Sequence, residues 1–216
     1  LSKRLGVSLD DYAEYLEDMH KTNEELLRIV NNLLMTYHYE SGTTELLRES
    51  SNIKDIIYNA VNSMKPLAKD NESEIITNIQ ADLPLVIANT DEINSVITNL
   101  ISNAIKHNTK GTNINVAAKK IDNEIQVSVR DNGKGIPESE RPNIFQRYPT
   151  TKRKIGTGLG LYLSKQIIDA HKGRIWFETE EGKGTTFYFT LPVTWFLNGV
   201  IIMYEDSQEK TIKILI

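Results

Sequence analysis

The sequence predicts an α+β fold, a two-layer α/β sandwich preceded by a long amphipathic helix. Three observations predict it. From Leu9 the large residues fall in alternating steps of three and four, at Leu9, Tyr12, Leu16, Met19, Leu26, Val30, Leu33 and Tyr37, with Asn23 in the same seam. Past Gly42, strand-like and helix-like stretches mix without a regular βαβ repeat. Finally, Val127-Ser-Val-Arg130 alternates like a half-buried strand and is broken sharply by Asp131-Asn-Gly-Lys-Gly135.

Taken in order, the seam predicts one helix to about Glu40-Ser-Gly42, apolar on a stripe that it cannot bury alone. Ser51 or Asn52 is the N-cap of a second helix through Ile53, Ile56, Ile57, Ala60, Val61 and Met64, with Pro66 marking its last turn or a bend. Glu74 to Ile79 and Leu85 to Ala88 read as short strands, and Thr90-Asp91 caps a helix carrying Asn99 and Asn103. Thr112 to Ala118 and Glu124 to Arg130 adjoin through an Asp122-Asn123 turn. A loop and short helix to Tyr148 follow, then a helix from Leu159 to His171 closed by Gly173 as its C′ residue. Arg174 to Thr179 and Thr185 to Leu191 are the last strands of the sandwich, joined through Glu181 to Gly184. Trp195 to Tyr204 is an apolar run too short to span a membrane, and Thr211 to Ile216 reads as a strand cut off.

Composition bounds the function. With 39% hydrophobic and 25% charged residues, the 216-residue chain can bury one substantial core plus a smaller element. The absence of cysteine excludes disulfides, thiolate metal sites and cysteine nucleophiles. A net charge of −4 argues against general nucleic-acid binding. No apolar run reaches the length of a membrane span, no signal peptide opens the chain, and a start at Leu1 reads as a fragment with no membrane contact of its own.

Three stretches carry chemistry. Gly133 and Gly135 let the backbone turn tightly after Asp131, whose carboxylate accepts hydrogen bonds and so suits a donor such as the exocyclic amine of adenine. Gly156-Thr-Gly-Leu-Gly160 runs into a helix, where unpaired amides and the helix dipole suit an anion. Just upstream, Arg141, Arg147, Lys152, Arg153 and Lys154 form a basic segment with no acid among them, fit for a polyphosphate. On the remaining helix, Asn99, Asn103 and Lys106 recur at i, i+4 and i+7 and share a face, while Val96, Leu100, Ile101 and Ala104 pack. Amide oxygens suit Mg²⁺. Read singly, each stretch also has a bland reading as a turn, a wet helix face or a solvated loop.

Read together they carry a resemblance. Asn99-x-x-x-Asn103, Asp131-x-Gly133-x-Gly135, Ile144-Phe145 and Gly156-x-Gly158-x-Gly160, in that order, resemble the N, G1, F and G2 boxes of sensor histidine kinases. Phe145-Gln-Arg-Tyr148 through Lys154, Gly173-Arg-Ile-Trp176 and Gly182 to Phe189 are similar to the C-terminal half of that Bergerat-type ATP-binding domain. The match runs from about Leu33 to Pro192.

The resemblance implies one mixed sheet covered by three helices, with ATP and Mg²⁺ as cofactors. It implies that residues 1–42 are the second helix of a dimerisation and phosphoacceptor hairpin, 48–193 the ATP-binding catalytic domain, and 194–216 a tail, in which Ile212 to Ile216 resembles the first strand of a receiver domain. Asp131 would bind the adenine amine, Gly133, Gly135 and Ile136 would shape its pocket, and His107 would stack near the base. Asn103 would ligate Mg²⁺, with Asn99 and Lys106 beside it in the catalytic set. Arg147, Lys152, Arg153 and the loop of Gly156, Thr157, Gly158, Leu159 and Gly160 would lie around the phosphates, and Phe145 would belong to the cofactor-binding set. The implied partners are a response regulator and, in the parent protein, a second copy held through the helical hairpin, all on the cytoplasmic side. His20, followed by Lys-Thr-Asn, lacks the acid and proline that accompany a phosphoacceptor, so this stretch is not expected to label itself. Two competing functions remain open: an ATP-hydrolysing conformational switch of the same superfamily, like gyrase, mismatch-repair or heat-shock chaperone ATPases, and a non-catalytic dimerising pseudokinase.

Overall fold

The structure is a computed structural model that describes residues 9–41, 47–147, 158–197 and 200–203. The chain divides into two units, Leu1–Thr44 and Glu45–Ile216. In the first, the three-and-four spacing produces one helix, α1 (Leu9–Ser41). Its stripe stays open: Leu16 is 66% exposed, Met19 68% and Tyr37 68%.

In the second unit Asn52 is extended and its side chain accepts a hydrogen bond from Lys54 N at 3.0 Å, starting α2 (Ile53–Asp70). Of the two N-cap candidates the structure therefore takes Asn52. Pro66 lies inside α2, which runs on to Asp70. Helix α3 (Thr90–Lys106) is capped not by Thr90-Asp91 but by Asn89, whose Oδ1 accepts from Glu92 N at 3.1 Å. Thr90 is instead the first helical residue, its hydroxyl donating to Glu49 Oε1 at 3.2 Å. Helix α4 (Gly160–Ala170) ends at the C-cap His171. The left-handed C′ residue is Lys172, φ 60°, rather than Gly173. Lys172 N bonds Asp169 O and Gly173 N bonds Ile168 O, both at 3.0 Å, the two bonds of a Schellman closure. Gly173 is needed for a different reason, because a Cβ there would collide with Thr190 O on the neighbouring strand.

Seven strands belong to the sandwich: β1 (Glu49–Ser51), β2 (Glu74–Ile79), β3 (Val86–Ala88), β4 (Asn113–Ile121), β5 (Glu124–Asp131), β6 (Ile175–Glu180) and β7 (Gly184–Pro192). The main sheet has the order β2-β4-β5-β7-β6; β2 runs parallel to β4 and the other neighbours are antiparallel. Strands β1 and β3 form a separate antiparallel pair. Between β4 and β5, Asp122 takes the left-handed conformation that a two-residue turn needs. The inward row of the sheet is apolar, with Val127 opposite Phe189 and Val129 opposite both Val116 and Phe187, all buried. Helices α2, α3 and α4 pack side by side on that row through Ile57, Ile97, Leu100, Ile101 and Ile167, none more than 0% exposed.

The region read as a short helix reaching Tyr148 contains a single 3-10 turn, Arg141–Asn143. The apolar run after Pro192 is a hairpin, β8 (Thr194–Leu197) against β9 (Val200–Met203), with Asn198-Gly199 between the strands. That dipeptide is the strongest short hairpin signal a sequence carries. Lys152, Arg153, Gly156 and Thr157, the rest of the basic segment from Tyr148, and the strand expected at 211–216 lie outside the described residues.

Candidate functional site

Strand β5 alternates inward at Ile125, Val127 and Val129, and the next inward position is Asp131. The period that builds the core thus delivers a carboxylate to the helix layer, 5% exposed. Its Oδ1 accepts from Gly133 N at 2.9 Å and from Thr185 N at 3.3 Å. Burial raises the Asp131 carboxyl above its ordinary value, while the Gly133 and Thr185 amides and the Asn108 side chain pull the other way. A buried acceptor so prepared calls for a donor from a ligand.

The walls of this pocket are set by missing side chains. Gly133 lies against the Asn108 amide, where a Cβ would overlap it. Gly135, φ 72°, lies against the Glu180 carbonyl, and Gly184, φ 108°, against Asp131 O. Ile136 N donates to Thr179 Oγ1 at 2.9 Å, and Ile136 O accepts from Arg141 Nε at 3.0 Å, so the turn after Gly135 is fastened on both sides. Asn108, just past the end of α3, fastens it as well: its Oδ1 accepts from Lys134 N at 3.0 Å and its Nδ2 donates to Ala104 O at 2.9 Å.

Nine residues earlier, within α3, Asn99 Nδ2 donates to Ser164 Oγ at 2.9 Å, and its Oδ1 lies where a Cβ of Gly160 would stand. Thus the loop after β5 is fastened at Asn108, just past the C-terminal end of α3, and α4 touches α3 at Asn99, within the helix. Leu159, buried at the N-cap of α4, offers no oxygen to its first amides, and Gly158 before it takes φ 68°. Those amides suit an anion. Asn103 and His107 are half-buried between these two ends, and Lys106 is exposed.

The Phe145 ring packs on Phe177 and Phe187, centroids 6.0 and 6.3 Å away, pinning the 3-10 segment to β6 and β7. Arg147 is exposed at the end of that segment. Asn108, Ser164, Thr179, Gly184 and Thr185 are the contributors that sequence reasoning missed. Asn108 lay within the asparagine-rich stretch already singled out, and Gly184 within what reads as an ordinary hairpin turn.

The donor set was tested against a magnesium ion. Among the described residues no group of three or more His, Cys, Asp or Glu converges on a point, so the protein alone offers no complete metal cage. The Asn103 amide has no side-chain hydrogen bond among the described residues. One free neutral oxygen fits Mg²⁺, which keeps water and phosphate oxygens as its other ligands.

Residues 88–194 match the family described as histidine kinase-, DNA gyrase B-, and HSP90-like ATPase. The chain is 33% identical over 207 residues to the sensor histidine kinase WalK of Bacillus subtilis, covering 93% of this chain and 32% of WalK. It is 31% identical over 182 residues to the alginate biosynthesis sensor protein KinB of Pseudomonas aeruginosa, covering 84% of this chain and 31% of KinB. It therefore spans about a third of the length of these curated relatives. Among solved structures, the histidine kinase ThkA in complex with the response regulator protein TrrA superposes with a TM-score of 0.67 at 25% identity, over 87% of this chain and 53% of that one.

Proposed function

Since this chain carries an ATP-binding domain of the histidine kinase-, DNA gyrase B- and HSP90-like ATPase family, we propose that it is the catalytic portion of a sensor histidine kinase, which transfers the γ-phosphoryl group of Mg-ATP to a histidine. The observation that carries this reading is the buried Asp131, with two backbone amides on Oδ1 and neither on Oδ2, in a pocket closed by three glycines. Oδ2 receives the adenine amine, and the triphosphate runs along α3 toward the uncapped first turn of α4.

In phosphoryl transfer the protein supplies position and charge rather than a covalent partner. Asn103 would hold Mg²⁺, which would neutralise phosphate charge there. His107 lies beside the base and Lys106 beside the phosphates. Of the basic segment, Arg147, Lys152 and Arg153, with Gly156 and Thr157 after it, are assigned to this task by their position in the motif.

The unit 1–42 is proposed as the second helix of the dimerisation hairpin, 48–193 as the catalytic domain and 194–216 as a tail. The open apolar stripe on α1 supports a homodimer in the parent protein. By kinship with a kinase solved in complex with a response regulator, the partner is a receiver domain. No helix among the described residues is long and apolar enough to cross a membrane. A cytoplasmic place for this portion follows from the kinase role.

The test is to mix the chain with Mg-ATP and an acceptor hairpin from the parent protein, then read acid-labile phosphohistidine and free phosphate separately. Label on the hairpin with barely detectable hydrolysis is expected, because Asn99 stands where hydrolases of this fold place a glutamate and an amide takes up no proton at neutral pH. Steady hydrolysis at about 1 s⁻¹ without transfer overturns the kinase in favour of the switch-type ATPase.

A further inference from the structure

Asn99 and Ser164 are the point where α3 meets the first turn of α4. Asn99 Nδ2 donates to the Ser164 hydroxyl at 2.9 Å, and that hydroxyl belongs to a residue 2% exposed. The other end of the same amide, Oδ1, fills the space over Gly160. Gly160 and Ser164 are four apart and share one face of α4; Asn99 and Asn103 are four apart and share one face of α3. One asparagine is therefore gripped at both ends of its amide, while Asn103, one turn on, has no such grip among the described residues.

We propose that Ser164 is a positioning residue which, through Asn99, locks the N-terminal turn of α4 onto α3 and fixes the distance between the phosphate-facing amides of α4 and the metal-holding Asn103. The proposal rests on the nucleotide reading above and reassigns Asn99 within it: the side chain is a strut, its Nδ2 bonded to Ser164 and its Oδ1 packed against Gly160. The approach demands glycine at 160, since any larger residue would displace the Asn99 oxygen. It demands a hydroxyl at 164, because an apolar side chain would leave a half-buried amide N–H unpaired.

The strut joins two helices of the protein itself, so it acts by preorganisation. When it is lost, α4 samples positions from which its amides miss the phosphates, and binding must restore the alignment. Adenosine, which touches only the Asp131 end, is indifferent to this; a Mg-nucleotide, which spans both ends, is not. A purely structural role predicts the opposite pattern, equal losses for both ligands.

The experiment measures the affinity of the full 216-residue chain for Mg-AMPPNP and for adenosine, in wild type, Ser164→Ala and Ser164→Thr. Ser164→Ala should weaken Mg-AMPPNP about 2- to 10-fold with adenosine unchanged, and Ser164→Thr, which keeps the hydroxyl, should restore it. Equal affinities in Ser164→Ala and wild type, or parallel losses for both ligands, overturn the strut while leaving the nucleotide site standing. A wild-type chain that binds no Mg-AMPPNP overturns the nucleotide reading and the strut with it. Should Ser164→Ala fail to fold, Gly160→Ala serves: it should weaken Mg-AMPPNP in the native background and add nothing to Asn99→Ala, and the same penalty in both backgrounds refutes the contact.

Discussion

Replacing Asp131 by Asn separates binding from stability: affinity should fall while stability holds or rises. The substitution keeps size and keeps an oxygen for Gly133 N and Thr185 N, so the turn after β5 survives. It converts Oδ2 from an acceptor to an NH₂ donor, which then faces the donor amine of adenine. A mismatched buried polar contact costs about 1–3 kcal/mol, or a loss of affinity of about 5- to 150-fold. The free protein behaves otherwise. Burial raises the folded carboxyl above its unfolded value, so its contribution to stability is complete below the ordinary value near 3.8 and is lost as pH rises through the folded one. Above the folded value the ionised carboxylate weakens the empty protein, and Asn removes that burden. Calorimetric titration with Mg-AMPPNP should show the weaker binding, and a thermal melt without ligand should show a midpoint equal to or above wild type. An unchanged dissociation constant removes Asp131 from the site; a lower midpoint refutes the account of its burial.

His171 is wholly buried, with Nδ1 donating to Ile167 O at 2.8 Å and Nε2 accepting from Asn89 N at 3.0 Å, and burial lowers its pKa. The folded state then binds fewer protons than the unfolded one below about pH 6.5, so the melting temperature should fall from there downward, and less steeply in His171→Gln; equal slopes refute the assignment. Asn108→Ala frees Lys134 N and should weaken adenosine itself about 2- to 10-fold, in contrast to Ser164→Ala; an unaltered adenosine affinity counts against its role as fastener. Gly173→Ala forces a Cβ against Thr190 O and should cost about 1–3 kcal/mol, lowering the melting midpoint by roughly 2–10 °C. Gly182→Ala, with open space but φ 79°, should cost about 1 kcal/mol, and a reversed ranking of the two would refute the packing argument.

The fold was legible wherever periodicity and burial agree. Glu74 to Ile79 begins and ends where the alternation does, and the heptad seam from Leu9 to Tyr37 lies wholly within α1. Helix ends were less legible because neighbouring residues offer similar caps: Asn89 and Thr90 both carry a suitable oxygen, and only the contact with Glu49 tells them apart. Glycines were seen but misassigned. Gly173 reads as a helix terminator, yet the left-handed turn falls on Lys172, and the glycine answers to a strand across the sheet. The hairpin after Pro192 was announced by Asn198-Gly199 and hidden by the apolar run on both sides. At the candidate site the direct motif residues stood out, whereas Ser164, Thr185 and Asn108 act through contacts made by distant parts of the chain, which no local pattern encodes.

Asp131 and Thr185 are 54 residues apart in sequence, and β5, at the centre of the sheet, has its second neighbour in β7, near the far end of the domain. Strands β4 and β5 can pair as a hairpin as soon as both leave the ribosome, but the inner edge of β5 waits for the last strand to be synthesised. Until Gly184 and Thr185 arrive, the carboxylate lacks one of its two amides and the pocket lacks a wall. A nascent chain therefore acquires affinity for its ligand only on completing its tertiary structure, so nucleotide capture by ribosome-bound intermediates of increasing length should switch on late and in one step.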